Sequence, residues 1–112
     1  MRRDRERLLD ILEAIEKIWQ HACNDIETFA DDEMVQVWVI YHLQIIGEAA
    51  YGLSQQFKAS HPQIPWEQII GMRHVLVHGY FQIDLDIVWS VIKRDLPALQ
   101  GAIEAIVQLP ES

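Results

Sequence analysis

Apolar residues recur along the first third of the chain at three- and four-residue steps: Leu8, Ile11, Leu12, Ile15, Ile18, Trp19, Ala22, Ile26 and Phe29. Glu13, Glu16, Lys17 and Gln20 fall between them on the other side. One stripe of this kind predicts an amphipathic helix over residues 5–29 that buries a single face. Asp31-Asp32-Glu33 then supplies an N-cap and an acidic first turn for a second helix, expected to reach about residue 57. This helix is apolar nearly all round, through Val35, Val37, Trp38, Val39, Ile40, Tyr41, Leu43, Ile45, Ile46, Ala49, Ala50 and Leu53. A helix without a polar face is buried on more than one side, and so small a domain has too few neighbours to cover it. A second copy of the chain is the expected cover, with this helix near a homodimer interface. An exposed patch for a different partner would read the same way.

The proline-bearing stretch Ser60-His61-Pro62-Gln63-Ile64-Pro65 reads as a loop. A third helix is expected from Trp66, with Pro65 at its entry and Gly79 as its terminating glycine. Tyr80-Phe81-Gln82-Ile83 is a short extended link, after which Asp84 caps a segment carrying Leu85, Val88, Trp89 and Ile92. Pro97 either kinks that helix or opens a fifth one capped by Asp95. Leu99, Ile103, Ile106 and Val107 carry the stripe to the end. There is no strand alternation, repeat or low-complexity run. The pattern predicts one all-α domain over 1–112, a bundle of four or five helices.

Composition narrows the class of protein. With 112 residues the chain holds one core, and half hydrophobic content with five glycines and four prolines excludes a disordered or collagenous chain. The lone Cys23 has no internal disulfide partner, which fits a reducing compartment. The opening Met1-Arg2-Arg3-Asp4-Arg5-Glu6-Arg7 lacks a secretory leader pattern, so a cytoplasmic location is expected. The most apolar stretch, 34–46, is interrupted by Gln36, His42 and Gln44 and falls short of the roughly 20 residues of a membrane span. The net charge of −8 argues against a nucleic-acid partner recognised by bulk electrostatics; RNA would have to enter a local basic groove.

The chemistry concentrates in Gly71-Met72-Arg73-His74-Val75-Leu76-Val77-His78-Gly79-Tyr80. On a helical wheel Ile69, Ile70, Leu76 and Val77 form the apolar face with Arg73 in its middle, while Glu67, His74 and His78 lie opposite. An arginine facing a core needs a carboxylate or an opening to water. Glu48, the one charged residue of 43–53, is the candidate structural partner. His78 at a helix C-terminus reads equally as a cap and as a general acid or base near neutral pH. His74 and His78 have the spacing of two metal ligands, but no third ligand is placed beside them, so no metal is expected. A glycine-rich phosphate loop, a cysteine pair and a nucleophilic serine motif are all missing.

Arg73-His74-x3-His78-x-Tyr80 resembles the R-polar-x3-H motif of the HEPN superfamily, in the R-x4-H-x-Y form of HepT-like toxins. Ile45-Ile46-Gly47-Glu48-Ala49 is similar to that family's IGEA segment, and Ile64-Pro65-Trp66-Glu67-Gln68-Ile69 to its P-W-x-x-I lead-in. Asp84-Leu85-Asp86-Ile87-Val88-Trp89 with Asp95-Leu96-Pro97 resembles the helix that follows the motif. Four segments in order around the motif are far more specific than the motif itself.

The resemblance implies an antiparallel HEPN-type bundle that dimerises so that the motifs of two chains line one cleft. It implies a metal-independent endoribonuclease toxin, without cofactor, of a type VII-like HEPN/MNT toxin–antitoxin system. Arg73 would bind the scissile phosphate, His78 would move the proton, and His74 would assist. Tyr80 would accept AMP from an MNT-type nucleotidyltransferase antitoxin. The alternative is a non-catalytic HEPN dimer that scaffolds or regulates that nucleotidyltransferase. Because RNA carries its own 2′-OH nucleophile, phosphate binding and proton transfer suffice for cleavage. Arg73 and His78 diverge by about 140° on one ideal helix, so two chains meeting across a two-fold axis are the expected way to bring them together.

Overall fold

A computed structural model describes residues 2–22, 25–78 and 84–108, with side chains described from 3 onward in these stretches except for 74–78. The described residues form an all-α bundle. Its elements are α1 (Arg2–His21), α2 (Ile26–Asp31), α3 (Glu33–Tyr51), α4 (Gln55–Ser60), α5 (Trp66–His78), α6 (Leu85–Ser90), a π-helical turn (Val91–Asp95) and α7 (Leu96–Val107). α3 is central: α1 packs on one side of it and α5 on the other, and α7 lies against α1. α1 runs antiparallel to α3, since Asp4 bonds Ser54 at one end while Trp38 Nε1–H donates to the Lys17 carbonyl at the other. It is also antiparallel to α7, fixed by Arg5 on the Val107 carbonyl and Trp19 on Gln100. The core between them is aliphatic, with Ile11, Ile15, Ile18, Ile46, Ile92 and Ile103 fully buried and Phe29 closing one end. Each such side chain contributes about 1.5–3 kcal/mol through its removal from water.

The predicted first helix is shorter than its stripe. It ends at His21, and a new N-cap at Asp25 opens α2, its carboxylate accepting the Thr28 N–H at 2.8 Å. The Thr28 N–H, the Thr28 hydroxyl and the Glu27 N–H hold the Asp25 carboxyl below its ordinary value. The apolar register continues through the break, so periodicity concealed it. Asp32 caps α3 as expected, accepting from Val35 N–H, and Gln36 ties back to the Phe29 and Ala30 carbonyls.

The second predicted helix also divides. α3 closes at Gly52, and Ser54 caps α4 by accepting the Phe57 N–H. The cause is long-range: the carboxylate of Asp4, only 5% exposed, accepts both the N–H and the hydroxyl of Ser54, at 2.9 and 2.8 Å. At Gly52 a Cβ would stand 2.4 Å from the Arg7 guanidinium carbon, so that position has to be free of a side chain or Arg7 must move.

Pro97 falls in the first turn of α7, the second of the two expected placements. The chain stays helical through the π-helical turn, and Asp95 lies in helical backbone without a side-chain cap bond. Proline lacks an N–H and its ring collides with the carbonyl four residues earlier. Widening the preceding turn, with Leu96 N–H reaching back to the Val91 carbonyl, accommodates both.

One expectation about α3 is visible in its burial. Val39, Leu43, Ile46 and Ala50 are buried, yet Met34, Val37, Tyr41 and Tyr51 stand exposed on the remaining face, Met34 at 83%. α1 and α5 therefore cover only part of this helix. No described helix is long and apolar enough to cross a membrane.

Candidate active site

α5 carries the motif, and its distance from α3 is set by one residue. A Cβ on Gly47 would lie 2.9 Å from the Arg73 amide nitrogen, 3.1 Å from the Arg73 Cβ and 3.2 Å from the Ile69 carbonyl oxygen. Only a residue without a side chain lets the two backbones come this close. The approach places Arg73 beside the last turn of α3, where Glu48 and Tyr51 share a face three residues apart.

The Arg73 side chain is 19% exposed. Its Nη1 stands 3.5 Å from Glu48 Oε1, and its guanidinium carbon lies 3.6 Å above the centre of the Tyr51 ring. Nε is buried without a hydrogen-bond partner among the described residues. The three facts together describe a cation positioned with incomplete compensation. A partly exposed ion pair contributes about 0–1 kcal/mol and a cation–π contact about 0.5–2 kcal/mol, while an unmet buried donor costs about 1–3 kcal/mol. A cation selected only for stability would be paired at shorter range and with two bonds.

Glu48 is the more accessible partner, with 64% of its side chain exposed. It borders a groove of about 500 Å³ between α1 and α3, lined also by Arg7, Lys17, Tyr41 and His42. A second groove, about 550 Å³, lies between α5 and the α6–α7 helix and is apolar, with Ile69, Met72, Val88, Leu96 and Leu99 in its lining. Arg73 lines neither groove.

His74 and His78 belong to α5, but their side chains lie outside the described residues, as does Tyr80 entirely. The structure thus brings Arg73, Glu48 and Tyr51 together and leaves the histidines fixed only by their places on the helix. Among the described residues no group of three metal-ligating side chains occurs. His42 has a different part to play: it is 6% exposed, its Nδ1 lies 2.8 Å from the Trp38 carbonyl, and its ring packs on Trp38 and Tyr41. His61 repeats the arrangement against the Phe57 carbonyl.

Sequence reasoning missed Tyr51 as the floor beneath Arg73. The available signal was its position one turn past Glu48, on the face Glu48 presents. The reason for Gly47 was equally hidden, because a close helix crossing leaves no periodic trace.

The family profile described as Ribonuclease HepT-like matches residues 11–106. A protein of Thermococcus cleftensis named "Probable ribonuclease HepT" is 40% identical over 101 residues, 90% of each chain. A Methanocaldococcus jannaschii protein named as an RNase by inference is 33% identical over 100 residues, 88% of this chain and 92% of its own. A second protein of that organism, named as a gamma-glutamylcyclotransferase joined to an inferred RNase, is 36% identical over 96% of this chain but only 50% of its own length. No solved structure matches.

Proposed function

Because the chain belongs to the HepT-like ribonuclease family, we propose that it is a metal-independent endoribonuclease toxin that acts as a homodimer. The observation that carries this reading is the state of Arg73: a guanidinium built into a close helix crossing, supported by an aromatic face, and incompletely paired. Such a group is prepared for a phosphate. Arg73 binds the non-bridging oxygens of the scissile linkage and stabilises the charge that accumulates there. His78 transfers a proton, with His74 assisting in orientation. The 2′-OH of the substrate is the nucleophile, so neither metal nor cofactor is required. The exposed apolar face of α3 supports pairing with a second copy, which would supply the partner imidazole that one helix cannot direct toward its own Arg73.

In this reading the partner antitoxin is a nucleotidyltransferase that transfers AMP to Tyr80. The added phosphate and base would fill the cleft and repel RNA. The chain charge of −8 favours the second reading, a HEPN dimer that scaffolds the nucleotidyltransferase without cutting RNA. The two separate on expression alone: the toxin arrests growth and Arg73→Ala relieves the arrest, whereas the scaffold is harmless. The shared site has its own test. Arg73→Ala and His78→Ala chains, each inactive, are mixed through reversible denaturation. Heterodimers then contain one intact Arg73–His78 pair and regain cleavage. If mixing restores nothing although heterodimers form, the two groups do not act across chains.

A further inference from the structure

From the geometry around Arg73 we propose that Glu48 is the general base that removes the proton from the attacking 2′-OH of RNA, an assignment that rests on the ribonuclease reading above. Cleavage by the 2′-oxygen needs two proton transfers, one from the nucleophile and one to the departing 5′-oxygen. Two acid–base groups must therefore flank the phosphate; with His78 as the proton donor, Glu48 is the carboxylate that stands beside the phosphate-binding guanidinium, on its more exposed side.

Its contact with Arg73 is unlike a structural ion pair. The separation is 3.5 Å through one nitrogen and one oxygen, and Glu48 is 64% exposed. A carboxylate that served to neutralise a buried arginine would accept two short bonds and would be shielded from water. Here the arginine keeps an unmet buried donor while the carboxylate projects outward. When Arg73 grips a phosphate, the attacking 2′-oxygen must close a small ring on the same phosphorus, which brings it alongside whatever stands next to the guanidinium. Glu48 occupies that position. Gly47 and Tyr51 hold both partners in register, one by allowing the helix crossing and the other by supporting the guanidinium plane.

The step balances without any further reagent. Glu48 takes the 2′-hydroxyl proton as the 2′-oxygen bonds to phosphorus, and the bond from phosphorus to the 5′-oxygen breaks. That oxygen takes a proton from the His78 imidazolium. The products are a 2′,3′-cyclic phosphate and a free 5′-hydroxyl, with Glu48 protonated and His78 neutral. Exchange of protons with water resets both groups.

The test uses an oligoribonucleotide with one normal linkage and its counterpart in which the bridging 5′-oxygen is sulfur. Sulfur leaves without protonation, so the thiolated substrate bypasses the general acid and leaves the general base essential. Glu48→Gln keeps the shape and the acceptor facing Arg73 but binds no proton. It should lower kcat on both substrates by about 10²–10⁴-fold, with KM changed less than about threefold. His78→Ala should be inactive on the normal linkage and recover on the thiolated one. Recovery of Glu48→Gln on the thiolated substrate, or activity within about threefold of the unaltered chain on the normal one, overturns the assignment and leaves Glu48 as a positioning residue. Glu48→Asp, which retains a carboxylate, should regain part of the kcat; equal loss in Asp and Gln variants also counts against a base. Failure of the unaltered chain to cut either substrate brings down the ribonuclease reading, and the assignment with it.

Discussion

Asp4 and Arg73 are both charges held away from water, and they are treated in opposite ways. Asp4 is 5% exposed and accepts two bonds from Ser54, at 2.8 and 2.9 Å, locking the start of α1 to the turn between α3 and α4. Among the described residues, Arg73 has one ion-pair contact at 3.5 Å, an aromatic ring beneath it, and a buried Nε with no partner. A buried charge that only stabilises is satisfied in full, because each unmet group costs free energy. Under the proposed ribonuclease reading, the incomplete satisfaction at Arg73 is tolerated because the missing partner would arrive with the substrate. Stability and function are thus separable in this fold by counting the bonds each charge makes.

The largest effect should come from removing the unsatisfied charge. Arg73→Ala is expected to reduce RNA cleavage by about 10²–10³-fold or more. Its Tm should stay within about 4 °C of the parent, since Glu48 is left in water and the unmet donor disappears. A large fall in Tm together with activity would remove the distinction. Asp4→Ala should behave in the opposite sense, costing about 1.5–3 kcal/mol of stability and lowering Tm on the order of 10 °C, with kcat at low temperature unchanged.

Gly47→Ala should affect both quantities at once. The added methyl meets Arg73 backbone, so α5 must move away from α3. About 1–3 kcal/mol of stability is expected to be lost, along with a kcat decrease measurable in the folded fraction. Tyr51→Ala should have a smaller effect, raising KM several-fold through loss of about 0.5–1 kcal/mol of support for the guanidinium, while Tyr51→Phe keeps it.

The smallest effect concerns Asp25, a fully solvated cap. Its folded-state carboxyl lies below the ordinary 3.8, so its contribution is present above that pH and is lost as pH falls through the lowered value. Acid titration of helix content should show a slightly shallower loss below pH 3.8 for Asp25→Asn, and identical curves would show that the cap carries no pH-dependent stability.

Much of the architecture was legible because it is periodic. The stripe of α1, the Asp32 cap, the all-apolar character of α3 and the entry of α5 after Pro65 follow from local pattern. The breaks were not legible, since each depends on something outside the local period. Asp25 opens a new helix without disturbing the stripe, and Ser54 ends α3 because Asp4, fifty residues away, bonds to it. Pro97 left two outcomes open; it falls in the first turn of α7, but the entry is a π-helical turn and not an Asp95 cap. At the site, Arg73 and Glu48 were both noticed on charge grounds, Arg73 as misplaced on an apolar face. Tyr51 and the close contact at Gly47 emerge only when two helices are docked.

The central claim is that Arg73 is poised for an RNA phosphate. It is tested most directly by incubating the purified protein with a labelled single-stranded RNA in excess chelator, alongside Arg73→Ala of equal fold and assembly. The account predicts fragments ending in 2′,3′-cyclic phosphate from the unaltered chain and none above background from the variant. Equal cleavage by both proteins, or cleavage that chelator abolishes, would contradict it.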